Sequence, residues 1–205
     1  MEDRSRMTGM ARDALRHAGW VAAAVFVAAL AGFGAALEGF EQSQHPVAVL
    51  GANGIPRSLA FNLLGFVLPG MLAGVVAMDL RRRLPAEARW PLRIGAQLVF
   101  LSALAFIAMG LLPLDPQDLE NPQSRLHGTA WMLWIVAFIP GAVLLGLNAP
   151  PAARLRAVSL AAAVGLLLAA FLLGNAWPVG VAQRLAFGIW FAWLAYAGLR
   201  AARGA

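Results

Sequence analysis

Residues 59–78 read LAFNLLGFVLPGMLAGVVAM, twenty positions without one charged side chain. At 1.5 Å per residue a helix of that length covers about 30 Å, the thickness of a bilayer's hydrocarbon core. An apolar run this continuous does not alternate like a barrel strand, and only a helix satisfies its own backbone polar groups within one segment. Five further segments read the same way: 18–37, 92–112, 128–147, 157–173 and 185–199, the last two being short. The expectation is an all-α polytopic membrane protein, a bundle of six transmembrane helices. Its divisions are an N-terminal segment over 1–17, a membrane domain over 18–200 and a tail over 201–205.

Composition agrees with that reading. Of the 205 residues 60% are hydrophobic and only 13% charged, against about 45–50% and about 25% in soluble chains. Mean hydropathy is +0.70. A soluble domain cannot bury so much apolar surface, so a soluble enzyme, a disordered chain and a secreted disulfide scaffold are all excluded. With no cysteine there is no thiolate nucleophile and no cysteine-held metal or cluster.

The net charge of +6 could suggest nucleic acid, but its distribution says otherwise. All sixteen basic residues are arginine, and thirteen fall in the N-terminus, the second and fourth connections and the C-terminus. Only Arg57, Arg125 and Arg184 lie on the opposite side. By the positive-inside rule both termini are cytoplasmic, and three loops face the periplasm or the outside of a bacterial inner membrane. Arg12 and Arg16 precede the first segment as in a signal peptide, yet its apolar stretch exceeds the usual 7–15 residues, so an uncleaved span is expected. The expected partners are membrane lipids, without nucleic acid. The small residues of the first and fifth spans would permit packing within a protomer or in a homo-oligomer.

The two longer external loops hold most of the unusual polar groups. Ser58, Asn62, Gly65 and Pro69 recur at helical spacing and should share one inward face. Pro69 and Pro140 would free the carbonyls of Gly65 and Val136, either to line a cavity or to be covered by neighbours. In GLLPLDPQDLENPQSRLHG (110–128), Pro113 and Pro116 bracket Asp115, and His127 opens the next helix above Trp131 and Trp134. Asp115, His127 and Arg125 could act as an acid/base pair or simply cap and staple the loop. Asp115 and His127 together with His45 could supply a His/His/carboxylate zinc site. Haem is disfavoured, because it needs a dedicated slot between helices. Trp20, Trp90, Trp131 and Trp177 are expected at the membrane interfaces, Trp190 and Trp193 deeper. No charge lies near the middle of any span, which counts against an ion-driven carrier. No nucleotide loop, GxSxG elbow or HExxH helix is present.

Leu50-Gly51, Asn62, Gly65, the Gly110…Pro113-x-Asp115 element and His127-Gly128 occur here in the order they take in a bacterial integral-membrane family. The chain resembles that family, domain of unknown function nine-nine-eight, over about residues 18–200. The resemblance implies the helical membrane architecture and an external Asp/His pair, and leaves the reaction open.

Two functional expectations follow. One is a module binding a lipid or small amphiphile in an outward-facing pocket, with Arg57, Asn62, Arg125, Trp131 and Arg184 as ligand-binding residues. The other is a membrane lipid hydrolase using Asp115, His127 and Ser58, with or without a metal held by His45, Asp115 and His127.

Overall fold

The computed structural model describes residues 2–149, 154–172 and 176–201. Asn175, the last position of the fifth expected span and residues 202–205 of the tail lie outside the described residues. Among these residues six long helices run up and down in chain order: α1 (Glu2–Ala36), α2 (Ser58–Arg82), α3 (Trp90–Leu111), α4 (Pro122–Asn148), α5 (Arg154–Leu172) and α6 (Val179–Ala201). No strand occurs among the described residues. Five helices are long and apolar enough to cross a membrane: α2, α3, α4, α5 and the Arg16–Ala36 stretch of α1. The sixth, α6, is 23 residues long, but it carries Gln183, Arg184, Trp190, Trp193 and Tyr196 and is not among these five.

Each helix begins before the apolar segment that announces it, because hydropathy marks the part in hydrocarbon and capping marks the end. The fourth helix begins at Pro122 rather than near 128: the Asn121 side chain accepts the Ser124 amide at 2.8 Å, and proline stands in the first turn. The sixth begins at Val179, directly after Pro178. In α2 the turns over Asn62–Val67 are wound as π-helix. Pro69 has no N–H for the Gly65 carbonyl, and a shift to i→i+5 pairing accommodates that loss. The expected inward face is present, with Asn62, Gly65 and Pro69 buried.

The helices form a ring in which each packs on its neighbours in sequence and α6 closes against α1. Close approach is permitted by glycine: a Cβ on Gly19 of α1 would lie 2.6 Å from the Leu194 carbonyl of α6. One on Gly141 of α4 would lie 3.1 Å from the Gly95 carbonyl of α3. Helices in lipid gain little from apolar burial alone, so such tight contacts supply much of their association. The middle of the ring is aromatic. Phe106 stacks on Trp190 with centroids 4.7 Å apart and meets Phe66 at 5.3 Å, while Phe26 and Trp134 both meet Phe187 at 5.3 and 5.0 Å. Trp193 is buried and donates Nε1–H to the Ser159 hydroxyl of α5 at 2.9 Å. Trp20, Trp90 and Trp177 are exposed, as interfacial tryptophans are. Trp131 is half-buried, packing on Trp134 at 5.1 Å and Phe187 at 5.3 Å.

Candidate functional site

Connections 37–57 and 112–121 lie at one end of the ring, with the start of α6. They are bound together there: the Asn53 amide donates to the Leu114 carbonyl at 2.8 Å and its side chain to Gln123 at 3.3 Å. Three local structures occupy this end.

The first is built on His127, which is buried in the first turns of α4. Its Nδ1 lies 2.8 Å from the Leu112 carbonyl and 3.1 Å from that of Met109. Carbonyl oxygens only accept, so Nδ1 carries the proton and donates to both. The need for that donor is written in the sequence. The residues four beyond Met109 and Leu112 are Pro113 and Pro116, neither of which has an N–H. His127 thus caps the end of α3 from the neighbouring helix.

Asp115 is committed nearby. Its Oδ1 accepts the Gln117 amide at 3.0 Å and its Oδ2 the Asn121 side chain at 3.3 Å. The Ser124 hydroxyl accepts the Asp115 amide at 3.1 Å and donates to the Asp118 carbonyl at 2.9 Å. These bonds close the turn on itself, in the manner of side chains that mimic backbone turns. Asp115 and His127 share the region without bonding to each other, each serving the backbone beside it. Arg125 is exposed on the outer surface of α4.

The second structure is a clamp of the first connection on α6. Arg184 donates from Nε and Nη2 to the Gln42 side chain at 3.0 and 2.7 Å, and from Nη1 to the His45 and Gly180 carbonyls at 3.0 and 2.8 Å. Gln183 accepts the Val47 amide at 3.0 Å. His45 stacks on Phe40, and its Nδ1 accepts the Glu41 amide at 2.9 Å. That lone pair is occupied, and His45 belongs to the α6 clamp while Asp115 and His127 belong to the α3–α4 junction. No group of three His, Cys, Asp or Glu able to hold a metal ion occurs among the described residues. The expected His45/Asp115/His127 set is therefore not brought together.

The third structure is a groove between α1 and α2. Two adjoining hollows, of about 130 and 440 Å³, share Phe33, Ala36 and Arg57. The larger runs down along Val25, Ala28, Ala29, Gly32 and Leu64. Arg57 stands at its mouth in the left-handed backbone region, with φ of 63°, the one non-glycine residue with positive φ among those described. Such a conformation costs of order 1 kcal/mol or more, and residues held this way concentrate at functional sites. The Arg57 guanidinium has no hydrogen bond or ion pair among the described residues. Ser58, half-buried, follows it at the start of α2. Asn62 faces away from the groove: it is 5% exposed and donates to the Gly51 carbonyl at 2.9 Å.

Of the expected ligand residues, Arg57 lines this groove, and its donors have no partner among the described residues. Sequence reasoning missed the α1 wall. Ala28, Ala29, Gly32 and Ala36 recur at spacings that share one helical face, and that pattern was the available signal.

A ring of helices, five of them long and apolar enough to cross a membrane, defines a multi-pass helical membrane protein. The chain belongs to the family described as "Protein of unknown function (DUF998)", whose model matches residues 11–200. No curated protein and no solved structure matches the chain significantly.

Proposed function

We propose that this protein binds a lipid or small amphiphile in the groove between α1 and α2, with Arg57 holding an anionic headgroup. The carrying observation is the state of Arg57: strained, exposed, without a partner among the described residues, and set over an apolar hollow that descends along the lipid-facing side of the ring. A guanidinium binds phosphate or carboxylate through paired N–H donors, and the Val25–Leu64 walls suit an acyl chain. Arg184 cannot share the task, since its donors are spent on Gln42, His45 and Gly180. The same reading takes α6 as a sixth span, because it closes the ring. It sets the groove mouth on the periplasmic side of a bacterial inner membrane, because thirteen of the sixteen arginines flank the other end. The hydrolase alternative draws no support from the site, where His127 and both Asp115 oxygens serve backbone and turn.

Native mass spectrometry of the purified chain with added anionic phospholipid tests the proposal. Arg57→Gln should weaken retention about fivefold, the equivalent of about 1 kcal/mol per arginine near an anionic surface. Gly32→Phe should remove the lipid equivalent held there by filling the groove, since a Cβ at Gly32 meets nothing within 4 Å and the fold is spared. Retention unchanged in both variants overturns the proposal.

A further inference from the structure

At the opposite end of the ring a second hollow, of about 360 Å³, opens between α2 and α3. Its walls are Ala77, Met78, Arg81 and Arg82 of α2 and Gln97 and Phe100 of α3. Arg81 and Arg82 close the last turn of α2, where the helix dipole favours cations, and both are exposed. Their neighbour Arg83 is engaged: its Nε meets the Asp79 carboxylate at 2.9 Å. Neither Arg81 nor Arg82 has a side-chain partner among the described residues.

The depth of the hollow matches one leaflet. Trp90, 75% exposed, and Arg93 beside it mark the interface level at the start of α3. Phe100 lies ten residues further on, about 15 Å down the helix, which is half the hydrocarbon thickness. Between them, about 10 Å from the helix start, Gln97 lines the hollow. Gln97 is exposed, and its carboxamide has no hydrogen-bond partner among the described residues. An amide at that depth on a lipid-facing surface is costly unless something accepts its N–H groups. Helical side chains lean toward the helix N-terminus, here the interface end of α3, so the Gln97 carboxamide can reach back up toward the ester carbonyls of a glycerolipid, which lie just below the headgroup.

We infer that this hollow is a second lipid site, binding an anionic glycerophospholipid of the leaflet at the arginine-rich end. Arg81 and Arg82 hold the phosphate, Gln97 donates to an ester carbonyl, and Ala77, Met78 and Phe100 seat an acyl chain. Basic pockets between helices at this membrane level recognise anionic headgroups. The inference is independent of the groove at Arg57, which lies at the other end of α2 and in the other leaflet.

The test is native mass spectrometry of the full-length chain carrying Gly32→Phe, which fills the Arg57 groove so that binding at this hollow is read alone, titrated with phosphatidylglycerol or with phosphatidylcholine. Arg81→Gln/Arg82→Gln should weaken phosphatidylglycerol binding about thirty-fold, about 2 kcal/mol at 1.4 kcal/mol per tenfold. Arg154→Gln/Arg156→Gln removes the same charge from the start of α5, outside the hollow, and should leave that binding unchanged. Gln97→Leu alters no charge and should weaken it severalfold. Arg57→Gln should leave it intact, which separates failure here from failure of the other site. Equal loss in the two double variants would mean diffuse charge attraction and overturn the inference. So would equal binding of the two lipids, or a Gln97→Leu variant that binds as the wild type does.

Discussion

Replacing His127 separates a structural imidazole from a catalytic one. His127→Leu keeps an apolar side chain of comparable size and removes the Nδ1–H that serves the Met109 and Leu112 carbonyls. Met109 is 1% exposed, and its carbonyl has no i+4 amide because Pro113 stands there, so it is left buried and unsatisfied. Leu112 is only half-buried, and water can reach it. One full desolvation penalty therefore applies, about 2 kcal/mol within the 1–3 kcal/mol range for an orphaned buried acceptor. For a chain near 200 residues, about 1 kcal/mol corresponds to about 2–4 °C, so unfolding should move down by about 4–8 °C. Tryptophan fluorescence during thermal unfolding in detergent reads the shift, with Trp131 and Trp134 one and two turns below the site. His127→Asn is the decisive companion. Its amide nitrogen occupies the place of Nδ1 and should recover most of the loss, whereas His127→Gln presents its amide where Nε2 stood and should not. If Asn is as damaged as Leu, or Gln restores more than Asn, the capping argument fails.

Asn62→Leu should cost about 1–3 kcal/mol by orphaning the buried Gly51 carbonyl, with faster amide exchange over Val47–Gly51; unchanged exchange would refute it. Arg184→Gln leaves the His45 carbonyl and the Gln42 side-chain oxygen without their donor, so protease should cut within 38–46 several times faster while phospholipid retention at the Arg57 groove stays as before. An uncut loop would show that the clamp does not hold it. Gly141→Val forces branched carbons against the Gly95 carbonyl and Leu98, and should cost about 1–3 kcal/mol, seen as early aggregation on heating in size-exclusion chromatography. A wild-type profile would mean that α3 and α4 can separate freely.

Much of this was legible in the chain itself. Five membrane-length helices, the inward face of Asn62, Gly65 and Pro69 and the buried Trp190 and Trp193 follow from hydropathy and helical spacing. So does the arginine asymmetry. These are properties of one segment read alone, because a bilayer imposes the same demand on every helix that crosses it. Helix ends were less legible: Asn121 and Pro122 carried the signal for an early start of α4, but the apolar window begins six residues later.

The polar groups were a different matter. Sequence marks Asp115, His127, His45, Arg57 and Arg184 alike as polar residues near membrane ends, and their chemistry admits caps, metal ligands or headgroup contacts. What separates them is which backbone each one meets. The Met109 carbonyl was orphaned by Pro113, but only the packing of α4 on α3 puts His127 beside it. Arg184 lost its freedom because the first connection folds over α6, and Arg57 kept its own because nothing does. Hydropathy is a sum along the chain and survives without neighbours, whereas a hydrogen bond exists only once two elements are adjacent. The membrane architecture was therefore determined by sequence alone, and the division between staple and candidate site by tertiary structure.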